Sequence, residues 1–258
     1  MEITWLGTAG FQLRTGKENF LIDPYLSRTA ASRPRQTLVP SDLSGAEQIF
    51  VSHGHFDHIF DIPAIASKTD CRVYCCPVAA DTLRQNGLAG DRIQEVTEDG
   101  YSAAVGDCRA RALFSHHVKF DQWLLIKTLA RINLRIPRYL PLMKAYPVGQ
   151  VLSWQFEIDG QVLQHFGSAG ATPAELEGLS RQPIDILLVP LQGHTRICEI
   201  ALRYVQVLKP RMVIAHHQDD FFPPISTYVD IRPFIKAVTR TCPDTEIRIL
   251  QINEPVSV

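Results

Sequence analysis

The chain has 258 residues, 45% of them hydrophobic and 21% charged, with a formal net charge of −1. That balance calls for a globular core rather than disorder, and it supplies no general pull toward nucleic acid or an anionic surface. No run reaches the roughly 18 consecutive apolar residues of a membrane span, and the opening "MEITWLGTAG" lacks the basic start and long apolar stretch of a signal peptide.

Short apolar runs separated by glycine and polar turns predict strands at "EITWLG", "GFQLRTG" and "NFLIDP". Residues 25–45 form a loop rich in Ser, Pro and Arg. "EQIFVS" is the next strand, "IFDIPAIASK" a short helix, "CRVYCC" a strand and "PVAADTLRQNG" a helix ending at Gly87. Further strands fall near 92–96, 101–105 and 108–114. Residues 119–145 interrupt this rhythm. Beyond them, "VLSWQFEIDG" and "QVLQHFG" predict a hairpin turned at Asp159-Gly160. "TPAELEGL" predicts a helix with Thr172 as cap and Pro173 at its first position. Strand and helix then alternate through "IDILLVPL", "ICEIALRYVQVLK", "RMVIAHH", "YVDIRPFIKAVTRT" and "EIRILQI". A strand-rich first part followed by alternation suggests an α/β fold of two packed, mixed sheets with helices outside, a four-layer αββα sandwich. No linker divides the chain, so residues 1–258 are read as a single domain, and no short repeat is visible.

The six cysteines, Cys71, Cys75, Cys76, Cys108, Cys198 and Cys242, form no CxxC pair. At this length they read as reduced thiols of a cytoplasmic protein.

The chemistry concentrates in "FVSHGHFDHIF", residues 50–60, which holds His53, His55, Asp57 and His58 behind an apolar strand. On a strand, residues two apart share a face, so His53 and His55 are expected to point together. Asp57 and His58 fall just past the turn, at the start of the helix. Imidazole nitrogens and carboxylate oxygens in such density suit zinc or a similar divalent ion. Two histidines alone bind weakly, so further ligands must come from elsewhere in the chain.

"HGHFDH" resembles the HxHxDH signature of metallo-β-lactamase fold hydrolases. The resemblance runs over nearly the whole chain, through "FSHHVKFD", "HFGSAG", "ILLVPLQG" and "LKPRMVIAHHQDDFFPP". Its opening is similar to the branch that includes L-ascorbate-6-phosphate lactonase and related phosphodiesterases. The resemblance implies the αββα sandwich, an active site at one edge of the sheets and hydrolysis by metal-activated water. It also implies His53 and His55 on a first metal, and Asp57 and His58 on a second, with Asp57 orienting the water. The third ligand of the first site lies in "FSHHVKF": alternation from Ala110, Ala112 and Phe114 selects His116, whereas the resemblance favours His117. For the second site His217 is favoured over His216, which would then be a buried neighbour. Asp23 in "LIDP" is expected to orient a ligand histidine, or to cap a turn. Ser168 stands where many relatives have an aspartate that bridges both metals, so one tight site and a weaker second are expected. His194 in "LQGHT" is either a solvent-facing loop residue or a group near the site. His165, Asp219 and Asp220 are read as structural. Zinc is the expected metal, with manganese and iron using similar ligands.

The substrate implied is a phosphoester or lactone, a small anionic or lipid-like molecule rather than nucleic acid. A binding or sensing protein with little turnover is the alternative, because fold alone does not establish chemistry. Residues 119–145 carry six basic residues and one acid, with Lys127, Arg131 and Arg135 on one helical stripe. Apolar residues from Trp123 to Leu134 fill much of the remainder, and Pro137 and Pro141 are expected to end or kink the helix. This insertion is either a helix packed on the body with a solvated basic face, or a lid whose cations meet an anionic substrate or lipid head group. It could instead form a contact in a homo-oligomer.

Overall fold

Alternation along single strands builds the layers. In the computed structural model, which describes residues 1–132 and 136–258, β3 (Asn19–Ile22) sends Phe20 and Ile22 into one core and Leu21 into another. In β11 (Ile186–Pro190), Ile186 and Leu188 point inward while Leu187 and Val189 point outward. Both faces are buried, so the run "ILLV" carries no polar residue.

Sheet one contains β1 (Glu2–Gly7), β2 (Gly10–Arg14), β3, β4 (Gln48–Phe50), β5 (Arg72–Cys75) and β6 (Ile93–Glu95). Sheet two contains β7 (Ser102–Val105), β8 (Cys108–Ser115), β9 (Val151–Ile158), β10 (Gln161–Phe166), β11, β12 (Met212–His216) and β13 (Glu246–Arg248). The terminal strand β14 (Pro255–Ser257) returns to pair with β1, which gives the orders β14-β1-β2-β3-β4-β5-β6 and β13-β12-β11-β10-β9-β8-β7. Within sheet one, the pairings from β14 to β3 are antiparallel and those from β3 to β6 parallel. Sheet two repeats the pattern, antiparallel from β7 to β10 and parallel from β10 to β13. The two sheets thus share one pairing scheme, although no repeat is legible in the residues.

The central core lies between the sheets and is dominated by Trp5, Phe11, Phe50, Trp154 and Phe156. Outside sheet one pack α1 (Phe56–Ile59), α2 (Ile62–Ala66) and α3 (Pro77–Gln85); outside sheet two pack α6 (Pro173–Leu179), α7 (Ile197–Leu208) and α8 (Arg232–Thr241). Two mixed sheets between helices give the expected αββα sandwich.

Asp159 and Gly160 take φ of 50° and 76° between paired Ile158 and Gln161, the two-residue turn that matches strand twist. Thr172 caps α6 by accepting the Glu175 N–H, while Glu175 accepts from Thr172. The helix expected over "IFDIPAIASK" divides into α1 and α2, because Pro63 in the first turn of α2 has no N–H to continue the first helix. Strand β13 is shorter than its apolar run, and β14, with Pro255 at an edge, gave no sequence signal. The insertion forms α4 (Gln122–Ile132) and α5 (Ile136–Ala145), with Pro141 inside the second helix. Leu134 and Arg135 lie outside the described residues.

Candidate metal centre

Strands β8, β10, β11 and β12 run in one direction, and the segments leaving β8, β10 and β12 meet those leaving β3 and β4. Six side chains converge there in two groups. His53, His55 and His117 form one; Asp57, His58 and His217 form the other, and within each group the ligand-type atoms lie within 4.8 Å of one another. In the first, His53 Nε2 is 3.1 Å from His55 Nδ1. In the second, Asp57 Oδ2 is 3.7 Å from His58 Nε2 and 3.5 Å from His217 Nε2. The groups adjoin: the rings of His53 and His58 are 3.9 Å apart between centroids.

The routes by which these residues arrive differ from simple strand alternation. Strand β4 ends at Phe50, so His53 and His55 converge from the following loop, with His55 at the N-cap of α1. Strand β8 ends at Ser115, and its alternation slips after Ala112, so the period that selected His116 no longer operates. His116 is exposed and lies 2.7 Å from Glu175, whereas His117 turns toward His53 and His55. His216 is the last residue of β12 and points into the core, stacked 5.2 Å from His165. His217 follows at φ 62°, a left-handed conformation that turns the chain and sends its ring to Asp57.

Hydrogen bonds fix which imidazole nitrogen carries a lone pair into each group. Asp23 ends β3 and is fully buried; its Oδ2 lies 2.8 Å from His58 Nδ1. The Ser52 N–H donates to Asp23 Oδ1 at 2.7 Å and the Ser52 hydroxyl to Oδ2 at 2.5 Å. The same Ser52 oxygen lies 3.0 Å from His53 Nδ1, so one serine–aspartate pair steadies a histidine of each group. His117 Nδ1 donates to the Val118 carbonyl at 2.8 Å, which leaves Nε2 free. Asp23 thus contacts both the His58 ring and the Ser52 backbone. Ser52 was missed by sequence reasoning; its only signal is a polar residue closing an apolar strand directly before His53.

Burial, reinforced by neighbouring imidazoles, holds His53 well below the usual histidine range, pushes His55 down to about 4 despite Asp57, and lowers His117. These rings are neutral at pH 7 and present lone pairs. Burial opposes charge on Asp57, but His58 and His217 outweigh it and keep the carboxyl well below the ordinary range. Burial also opposes charge on His58, yet Asp23 and Asp57 raise its pKa. Imidazole nitrogens and an ionised Asp57 carboxylate, buried or half-buried with their donor atoms facing one another, form a donor set that fits a divalent cation.

Ser168, between β10 and α6, lies in the same cleft, where its hydroxyl oxygen accepts the Val118 N–H at 2.9 Å. Gly167 is required beside it, because a Cβ there would stand 2.0 Å from Ser52 Oγ. His194 stands apart from both groups: its Nδ1 is 3.3 Å from Asp121 Oδ2 and accepts the Arg196 N–H. His165 is buried, with Nε2 3.2 Å from the Ala9 carbonyl. Asp220 accepts from the Ser226 hydroxyl at 2.6 Å, and Asp219 pairs with Arg28.

The groups open on a cavity of about 220 Å³. Its walls are largely apolar: Phe56, Val118, Phe120 and Phe222 on the body, Leu124 from α4, and Leu142 and Met143 from α5. The described side chains that the insertion contributes to the cleft lining are apolar. None of its described cations lines that cavity, and Lys127 and Arg131 face a separate groove beside Tyr228.

Comparison with known proteins agrees with this geometry. A family model described as the beta-lactamase superfamily domain matches residues 2–217. A metal-dependent hydrolase of Aeropyrum pernix is 27% identical over 255 residues, covering 98% of this chain and 95% of the relative. A metal-dependent hydrolase of Pelotomaculum thermopropionicum is 26% identical over 260 residues, covering both chains completely. Among solved structures, Igni18, a metallo hydrolase from Ignicoccus hospitalis, superposes with a TM-score of 0.70 at 20% identity, covering 99% of this chain and 97% of that one. An isothiocyanate hydrolase from Delia radicum gut bacteria superposes with a TM-score of 0.68 at 16% identity, covering 100% and 99%. These likenesses, with the family match over most of the sequence, establish that the chain belongs to the β-lactamase superfamily, with the metallo-β-lactamase fold, and is a metal-dependent hydrolase.

Proposed function

We propose that the cleft hydrolyses a lactone or phosphoester with a polar, anionic reacting group and an apolar, lipid-like body. The observation that carries this reading is the contrast between two polar triads on the floor and apolar walls above them. Negative charge on the substrate would be met at the floor, since no described cation lines the walls. His53, His55 and His117 would hold a first ion, and Asp57, His58 and His217 a second. Zinc suits this imidazole-rich set, and manganese or iron would use the same donors. An ion held there would supply Lewis acidity, enough to bring the pKa of a water to about 7 and to polarise a carbonyl or phosphoryl group.

The chain's own residues do the rest. Asp57, kept ionised, accepts a proton-bearing contact from the attacking water and fixes its direction. Asp23 holds the His58 tautomer through Nδ1, and the Val118 carbonyl does the same for His117. The phenylalanine and leucine walls exclude bulk water and hold the apolar body. Six free cysteines, four of them buried, support a reducing, cytoplasmic setting.

A panel of lactones, phosphodiesters and thioesters with graded chain length, assayed with Zn²⁺ and Mn²⁺, tests the reading. Metal-dependent turnover with KM falling as the chain lengthens is expected. Metal-dependent binding without turnover of any class would favour a sensing role, to which the neutral Ser168 lends its own support. Asp23→Ala should weaken metal retention by about 10–100-fold, because the freed His58 ring loses its fixed tautomer; competition with a chromogenic chelator reads this directly.

Ser168 sets a further expectation. Two cations sharing a site repel, and a carboxylate would reduce that repulsion where a neutral hydroxyl does not. Wild-type protein should retain close to one ion per chain after dialysis, with the second site filling only in excess metal. Ser168→Asp should approach two, since one carboxylate oxygen can keep the Val118 N–H while the other faces the cleft. Two tightly held ions in the wild type, unchanged in the variant, would mean that another group already bridges them.

A further inference from the structure

Helix α4 is amphipathic in the opposite sense to an ordinary surface helix. Leu124, Thr128 and Ile132, spaced by four, form its shielded stripe, with Ile132 only 7% exposed. A helix resting on a protein by such a stripe should present polar residues to water. Here Trp123 is 69% exposed, Ile126 56%, Leu129 51% and Leu125 47%. Phe120 and Met143 extend the exposed apolar surface to the cleft, which both also line. Contiguous apolar surface of this kind marks an interaction site.

The charges beside it select the partner. Lys127 and Arg131 run along one edge of the apolar face, four residues apart; Lys119 precedes α4 and Lys144 lies in the last turn of α5, both exposed. None of the four has an ion-pair partner among the described residues; Arg131 reaches only the Lys127 carbonyl and the Thr128 hydroxyl. Asp121 is the one acid between residues 116 and 145, and it is turned back to accept from Thr195 and Leu124. In the adjoining groove Arg196 is paired with Glu199, and Asp230 with Arg232, so among the described residues Lys127 and Arg131 are the cations left free for a partner there. A two-fold contact through α4 would oppose like charges. Aromatic and aliphatic side chains edged by unneutralised cations match an anionic bilayer surface instead.

We infer that α4 docks this enzyme on anionic phospholipid, with Trp123, Ile126 and Leu129 at the acyl boundary and Lys127 and Arg131 among the phosphates. The cleft mouth, bordered by Phe120 and Met143, then faces the same surface. No helix among the described residues is long and apolar enough to cross a membrane, so the contact is interfacial. It stands independently of the reaction proposed above, because binding to vesicles requires no turnover.

The test uses the intact, metal-loaded protein with phosphatidylcholine vesicles, with and without phosphatidylglycerol. Of the three tryptophans, Trp5 and Trp154 are buried, so a blue shift in emission reports on Trp123. Co-sedimentation and the blue shift should appear with the anionic vesicles and weaken with salt. Lys127→Gln with Arg131→Gln should lower partition into them by at least about tenfold. Ile126→Ser with Leu129→Ser should abolish the blue shift while the protein remains folded. Absence of binding to anionic vesicles, or binding unchanged in both double variants, would overturn the inference. So would light scattering that shows a dimer in the wild type, dissociated by Ile126→Ser with Leu129→Ser, since the face would then belong to a second copy.

Discussion

Replacing His53 and His55 together by alanine should leave a folded protein with no tightly bound metal and with turnover at background. Three imidazoles form the first group, and this change leaves His117 alone. A single neutral imidazole holds a divalent ion weakly, and the second group has lost the neighbour at 3.9 Å that completes the shared floor. Both histidines lie beyond the end of β4, outside the three apolar cores, so the sandwich itself does not depend on them. Elemental analysis after dialysis, circular dichroism and turnover on the best substrate class should be measured on one preparation. A folded double variant with full metal content and full turnover would place the metal elsewhere.

Much of this centre was legible because its signals are local. HxHxDH behind an apolar strand occupies six consecutive positions, and the caps and the Asp159-Gly160 turn are read within four residues. Signals that depend on where a strand stops were weaker. His53 and His55 were expected to share a strand face, yet β4 had already ended; alternation chose His116 because β8 was assumed to continue. The Ser52–Asp23 contact spans 29 residues and the Arg28–Asp219 pair 191, and neither separation leaves a trace in a single sequence. The insertion taught a different limit. Four-residue spacing shows which side chains share a stripe, but not which stripe meets the body. Packing placed the cations of α4 away from the metal cleft and its larger apolar residues in water.

Removing the Asp219 carboxylate should be the most destabilising single change outside the apolar cores. Its Oδ2 lies 2.6 Å from Arg28 Nη1, with side chains 0% and 2% exposed, and it also accepts the Thr8 N–H at 3.0 Å. Arg28 Nη2 in turn donates to the Thr8 hydroxyl at 2.7 Å, and the Thr8 carbonyl accepts the His217 N–H at 2.8 Å. Thr8 and His217 hold φ of 53° and 62°. A β-branched residue rarely adopts such a conformation, so the surrounding bonds must over-determine it. Asp219→Ala leaves a buried guanidinium without its carboxylate, which costs about 3–5 kcal/mol. Urea denaturation should be run in chelator, so that metal binding to the folded state does not enter the difference. Arg28→Met combined with Asp219→Leu removes both charges and should recover much of the loss, because a buried pair replaced by apolar groups of similar volume is often close to neutral. The metal content of that double variant then separates two roles. The Thr8 N–H and hydroxyl have lost their partners, so the turn that carries His217 is less firmly set, and second-site occupancy in excess metal should fall below that of the wild type even where stability returns. A stability change within about 0.5 kcal/mol for Asp219→Ala, the range of ordinary surface substitutions, would show that the pair holds neither the fold nor His217.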